Sequence, residues 1–233
     1  MRLEQIRKRV TVDIPHSDQA YMSEAFNTLR ANLLFCDDDI KSIAMVSCTS
    51  GEGTTDVTWR LVFSLSEIGK NVLVIDGNMR NSSMKYKGKG LSDYLSGDCR
   101  IQECIFRTPY EHLYVLPSGD ARGIGEKSSE LLLNDGLRLL LKEAEEIFDY
   151  IFVDCPPLSD MIDGAVVAGA CNASAIVLES DRIKPEFLQN VTEQLRKAND
   201  RILGVIINRF NVRKYRCYGN YFRKSCGRLS GGQ

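Results

Sequence analysis

The sequence predicts a doubly wound α/β domain, a mostly parallel sheet with helices on both faces. Two observations carry that prediction. Short runs apolar up to their last residue, such as Ile43–Ser47, Val72–Asp76 and Tyr150–Asp154, alternate with amphipathic segments of helical period. Strands buried on both faces read as continuous apolar runs, because helices cover the sheet above and below. The unusual polar residues then cluster where such runs end: Cys48–Thr55 after the first, Asp76 and Asp154 closing two others. Ligands of open parallel sheets bind beyond these carboxyl ends.

The elements follow in order. Residues 1–16 are charged and irregular and read as an N-terminal extension. Ser17 or Asp18 caps a helix reaching about Cys36, with Tyr21, Met22, Ala25, Phe26, Leu29, Leu33 and Leu34 on one face. Ile43–Ser47 is a strand, Thr55–Ile68 a helix stopped by Gly69, and Asn71–Asp76 a second strand. Residues 77–90, rich in Lys, Gly and Ser, are a loop. His112–Leu116 is a short strand, Ser129–Ile147 a helix, and Tyr150–Asp154 a strand closed by Cys155-Pro156-Pro157. Ala173–Leu178, Glu186–Ala198 and Ile202–Asn208 complete the alternation as strand, helix and strand. The expected division is 1–16, a 17–210 domain and a 211–233 tail.

At 233 residues with 43% apolar content the chain can bury the core of one such domain. A net charge of −1 points to no nucleic acid or other polyanionic partner. The charge is uneven: residues 211–233 hold Arg213, Lys214, Arg216, Arg223, Lys224 and Arg228 and nothing acidic. Eight cysteines form no C-x-x-C pair and several lie in apolar runs, so a reducing cytoplasm is expected rather than a disulfide scaffold. No signal-like run and no apolar stretch long enough to span a membrane is present.

Ser47-Cys48-Thr49-Ser50-Gly51-Glu52-Gly53-Thr54-Thr55 lies between strand and helix, the context a phosphate loop requires. Its glycines let several N–H groups converge on an anion, and the helix adds its positive end. Thr55 stands where a hydroxyl would ligate Mg²⁺. The motif G-x-x-x-x-G-K-[ST] is broken at Thr54, which replaces lysine, and at Cys48, which replaces the first glycine. An ordinary strand-to-helix turn is the competing reading. Asp76 and Asp154 argue against it, since two carboxylates beside a Gly-rich loop can hold Mg²⁺, although either could instead cap a helix.

With these residues in place the chain resembles the bacterial tyrosine kinases of capsule and exopolysaccharide synthesis, a deviant branch of the P-loop NTPases. The resemblance runs through Ser23–Asn32, Val46–Thr55, Leu73–Arg80, Gly90–Gly97, Asp149–Pro157 with Asp163, and Gly204–Asn208. It implies ATP/ADP and Mg²⁺ as cofactors. It implies catalytic roles for Asp76 and Asp154 and metal binding by Thr55, Asp76 and Asp154. Nucleotide contacts would come from Gly51, Glu52, Gly53, Thr54, Thr55, Asn78, Arg80 and Asn208. It further implies a membrane adaptor of polysaccharide co-polymerase type recruiting the protein to the inner face of the membrane, association of copies through Glu24 and Arg30, and phosphorylation of Tyr215, Tyr218 and Tyr221. An incidental solvated tail competes with that last reading.

Three positions depart from the family pattern: Thr54, Asn78 for the second Asp of D-x-D, and Asn27 for an arginine of E-x-x-R-x-x-R. Losing a lysine aimed at the transition state costs about 3 kcal/mol, roughly a hundredfold in rate. Hence two expectations: a tyrosine kinase, or a pseudokinase that binds nucleotide as a regulatory subunit. Lys85, Lys87 and Lys89 are candidates to replace the lost charge, against a merely solvated loop. A partitioning or cluster-carrier ATPase of the same superfamily is the remaining alternative.

Overall fold

A computed structural model describes residues 3–6, 8–12, 20–82, 84, 86, 88–119, 128–159 and 162–210. The elements are α1 (Ala20–Leu34), β1 (Ser42–Ser47), α2 (Thr54–Ser66), β2 (Val72–Asp76), α3 (Leu91–Leu95), α4 (Ile101–Cys104), β3 (Phe106–Arg107), β4 (Leu113–Leu116), α5 (Ser128–Leu133), α6 (Gly136–Glu145), β5 (Tyr150–Asp154), α7 (Asp163–Ala170), β6 (Ala173–Glu179), α8 (Pro185–Ala198) and β7 (Ile202–Asn208). The strands form one sheet in the order β3-β4-β2-β5-β1-β6-β7. Every pairing is parallel except β3 with β4.

Side-chain alternation along the strands divides the core in two. Ala44, Val46, Leu73, Ile75, Ile151 and Val153 face a layer that includes Leu137, Leu140, Leu141, Val167 and Leu195. Ile43, Met45, Val72, Val74 and Phe152 face Leu33, Val57, Leu61, Val62 and Leu65. Helix α2 buries Val57, Leu61, Val62 and Leu65, the spacing of one helical face, and the chain leaves it through Gly69 at φ 80°. Helix α8 opens with Pro185 and Glu186 and closes with Arg196 and Lys197, in keeping with the helix dipole.

The predicted strands and the 77–90 loop agree with the structure to within a residue or two at their ends. Two expectations are corrected, and four short elements went unpredicted. The single helix over 129–147 is two, α5 and α6, because Asn134-Asp135-Gly136 is turn-forming and breaks it. The extension is not irregular throughout: Arg9 bridges Arg107, Val10 N–H donates to the Arg107 carbonyl (2.9 Å), and Ile6 is buried. It covers the edge of β3 that would otherwise present unpaired backbone. Helices α3, α4 and α7 and the two-residue β3 were not predicted; all are short. Among the described residues no helix is long and apolar enough to cross a membrane, and the six described cysteines are free thiols.

Candidate functional site

Strand β1 lies between β5 and β6, where the winding of the sheet reverses. The loop leaving β1 therefore opens into the crevice that such a reversal creates. Gly51 and Gly53 adopt φ of 83° and 85°, left-handed values that glycine takes without steric cost. A Cβ on Gly53 would lie 2.2 Å from Asn208 Nδ2, so a side chain there would displace the Asn208 amide from its place against the loop. Gly53 caps α2, and Thr54 and Thr55 begin its first turn. The loop thus turns free backbone amides and the positive end of a 13-residue helix toward one region.

Beside the loop, the register of β2 and β5 sets Asp76 directly opposite Asp154. Both are buried, at 0% and 4% exposure. Thr55 Oγ1 donates to Asp154 Oδ2 at 2.6 Å. Asp76 accepts from Ser82 Oγ (2.5 Å) and from the Asn78 N–H (3.1 Å). Burial pushes Asp154 up to about 7, with the Asp76 charge adding to it against the Thr55 hydrogen bond. Burial likewise pushes Asp76 up to about 6, opposed by its hydrogen bonds from Ser82 and Asn78. Two buried carboxylates and a hydroxyl, with no salt-bridge partner for either carboxylate among the described residues, form a hard oxygen donor set. That set fits Mg²⁺, which binds through one or two carboxylates together with water and phosphate oxygens.

The other expected residues have particular roles. Thr54 is buried at 7% exposure and its carbonyl accepts from Thr58 Oγ1. The Glu52 side chain is buried and accepts the Thr49 N–H (2.9 Å); its Oε1 has no partner. Its contribution to an anion would come from its backbone. Asn78 Oδ1 accepts from the Asn81 N–H, closing a turn. Asn208 Nδ2 donates to the Glu52 carbonyl (2.9 Å), bracing the loop. Cys48, in the place of the first glycine, is fully buried, and burial pushes its thiol up to about 12.

Three expected contacts are redirected. Arg80 does not join the loop: its Nε pairs with Asp163 Oδ2 and its Nη2 bonds Ser129 Oγ, both at 3.0 Å. Asp163 also accepts from both hydroxyls of Ser128 and Ser129, knotting the chain after β2 to α5 and α7. Lys89 pairs with Glu103 at 3.1 Å rather than with the loop, while Lys85 and Lys87 lie outside the described residues. Arg30 bonds the Ser64 carbonyl of its own chain at 2.7 Å, whereas Glu24 is exposed. Tyr215, Tyr218 and Tyr221 lie outside the described residues.

Sequence reasoning missed Ser82, Arg182, Arg209 and Glu179. Ser82 sits in a Ser-rich loop with no distinguishing pattern; Glu179 closes β6, and Arg182 and Arg209 follow the ends of β6 and β7, whose closeness to the loop depends on the β1-β6-β7 order. Among the described residues no group of three or more His, Cys, Asp or Glu gathers, so a cluster-carrier site finds no ligand set there.

Comparison with known proteins places the chain. A family model described as an AAA domain matches residues 40–206. The chain is 34% identical to the tyrosine-protein kinase CpsD of Streptococcus agalactiae, over 86% of this chain and 90% of that protein. Its fold is similar to the kinase domain of the Escherichia coli tyrosine kinase ETK, with TM-score 0.76, 24% identity, and coverage of 91% and 86% of the two chains. It is also similar to the septum site-determining protein MinD complexed with Mg-ADP from Pyrococcus horikoshii OT3, with TM-score 0.62, 25% identity, and coverage of 74% and 71%.

Proposed function

Because the chain belongs to the bacterial tyrosine-kinase family of capsule and exopolysaccharide synthesis, with an AAA domain, we propose that its 51–55 loop takes the phosphates of ATP or ADP together with Mg²⁺. The observation that carries the reading is the Thr55–Asp154 bond at 2.6 Å, beside a buried Asp76–Asp154 carboxylate pair that is salt-bridged to no Lys or Arg among the described residues. Amides of the loop would receive the phosphate oxygens. Thr55, Asp76 and Asp154 would hold the ion, directly or through water. When bound, the ion neutralises charge on the β- and γ-phosphates. In the active form, the phenol oxygen of Tyr215, Tyr218 or Tyr221 would attack the γ-phosphorus, the bond from that phosphorus to the β,γ-bridging oxygen would break so that ADP leaves, and the phenol proton would pass to solvent. Phosphoryl transfer depends on positioning and charge neutralisation, so Thr54 slows that step by roughly a hundredfold while leaving ground-state binding to amides and metal.

A second reading has its own support: a pseudokinase whose occupied site regulates the same machinery. Thr54 lacks the charge, and Lys89 is paired with Glu103 rather than with the loop. The adaptor of co-polymerase type, its recruitment of the chain to the inner membrane face, and association of copies are part of the proposal. The association surface rests on exposed Glu24 more than on Arg30, which is bonded internally.

Calorimetry with ADP, with and without Mg²⁺, tests nucleotide binding; no heat in either condition overturns the reading. Incubation with Mg-ATP and detection of phosphotyrosine separates the two forms. Signal abolished by Asp154→Ala establishes the kinase, and a protein that binds nucleotide without ever labelling its tail establishes the regulatory subunit.

A further inference from the structure

The loop is braced from outside in a way its motif does not announce. Three successive carbonyls each receive one side-chain donor from the ends of β6 and β7. Arg182 Nη2 donates to Ser50 O (2.8 Å), Arg209 Nη1 to Gly51 O (3.1 Å), and Asn208 Nδ2 to Glu52 O (2.9 Å). In an anion nest the N–H groups converge on one side while the carbonyls point away. Fastening the carbonyls outward therefore fixes the direction of the amides. Both guanidinium groups also meet one oxygen, Glu179 Oε2, at 2.9 and 3.1 Å. The hydrogen bond from Arg182, and then that from Arg209, hold the Glu179 carboxyl below its ordinary range, so it stays charged at neutral pH.

The backbone around the clamp is unusual. Asp181 and Arg209 sit at φ of 62° and 54°, left-handed values that non-glycine residues adopt at a cost. Yet the three charged side chains are partly exposed, at 42%, 55% and 25% for Arg182, Arg209 and Glu179. Ion pairs exposed to this degree add little to global stability. A strained, weakly stabilising arrangement fastened to a loop has its effect on the loop.

We propose that Arg182 and Arg209, gathered by Glu179, are positioning residues that hold the 50–52 carbonyls outward and keep the loop ready for polyphosphate in the absence of a lysine at 54. The inference rests on the nucleotide reading and assigns regulation of the loop's shape to the β6 and β7 ends. It predicts that the arginines act on affinity without being charge partners of the ligand.

The test uses the full chain and Mg-ADP, with Mg-tripolyphosphate as a second probe lacking base and ribose. Arg182→Ala with Arg209→Ala should weaken both ligands by about tenfold or more, as expected when two charge-assisted bonds holding a binding loop are lost. The melting temperature of the ligand-free protein should hardly move. Replacing both by lysine should recover part of the affinity. The ratio of variant to wild-type Kd should persist from low to high salt, since a direct charge contact would be screened and bracing would not. If wild type binds Mg-ADP and the double alanine variant binds within about twofold of it, the inference falls while the nucleotide reading stands; a ratio that collapses in high salt overturns the positioning role too. If wild type binds neither probe, the nucleotide reading itself falls.

Discussion

Replacing Asp154 by asparagine should make the metal-free protein more stable while destroying its Mg²⁺-dependent nucleotide binding. Asparagine keeps the volume and an oxygen that can accept from Thr55 Oγ1, now 2.6 Å from Asp154 Oδ2. It removes a charge that burial and Asp76 disfavour. Unfolded, Asp154 titrates near its ordinary 3.8; folded, near 7. Between those values the folded state holds a proton that the unfolded state lacks, so stability falls as pH rises from about 4 to about 7 and stays low above that. The accumulated penalty is on the order of 4 kcal/mol. Exchanging a charge-assisted hydrogen bond for a neutral one returns part of this, leaving a net gain of roughly 1–3 kcal/mol at about pH 8. For a chain of this length that is a rise of about 3–10 °C in melting temperature. Thermal melts in EDTA at about pH 8 and pH 5 measure it, and the gain should shrink at the lower pH, where Asp154 already carries its proton. A variant no more stable than wild type at pH 8, or equally altered at both pH values, would refute the claim that the pair is a penalty held in reserve for a cation.

Three further outcomes follow from the same geometry. Thr54→Lys should raise the rate of tail phosphorylation by about a hundredfold, read by phosphotyrosine detection with Mg-ATP. Gly53→Ala places a Cβ 2.2 Å from Asn208 Nδ2 at a φ of 85°; it should cost about 2–4 kcal/mol in a urea melt and abolish Mg-ADP binding in calorimetry. Asp163→Asn leaves Arg80 unpaired and weakens the hold on Ser128 and Ser129; a loss of about 3 kcal/mol is expected in denaturant unfolding, with nucleotide affinity changed less than stability.

Much of this architecture is legible in the chain because buried parallel strands advertise themselves. VLVID and YIFVD are apolar until their final residue, and a terminal carboxylate on such a run stands out. Asp76 and Asp154 could therefore be picked from sequence, although their register opposite one another could not. Asn134-Asp135-Gly136 is a turn signal that the surrounding apolar period obscured. Arg80 shows the limit most clearly. Its place after β2 suggested a ligand contact, but the partner that captures it, Asp163, is 83 residues away and becomes its neighbour only once α5 and α7 pack. Arg182 and Arg209 were invisible for the same reason: basic residues after strands are ordinary until the sheet order brings both beside one loop.

That order also explains how a loop without its lysine can keep its shape. With β1 between β5 and β6, and β7 beyond, the loop after β1 has Asp154 on one flank and Glu179, Arg182, Asn208 and Arg209 on the other. The first flank carries two buried carboxylates that, on the proposed reading, would meet a cation, and the second fastens the carbonyls of residues 50–52. Such a division separates holding a nucleotide from transferring its phosphate. On the proposed reading, amides, hydroxyl and carboxylates would serve the former, whereas a positive charge within the loop would serve chiefly the latter. On that reading the lack of lysine at 54 would fall on catalysis much more heavily than on binding, and the same crevice could serve a slow kinase or a nucleotide-gated subunit without any change in the sheet that builds it.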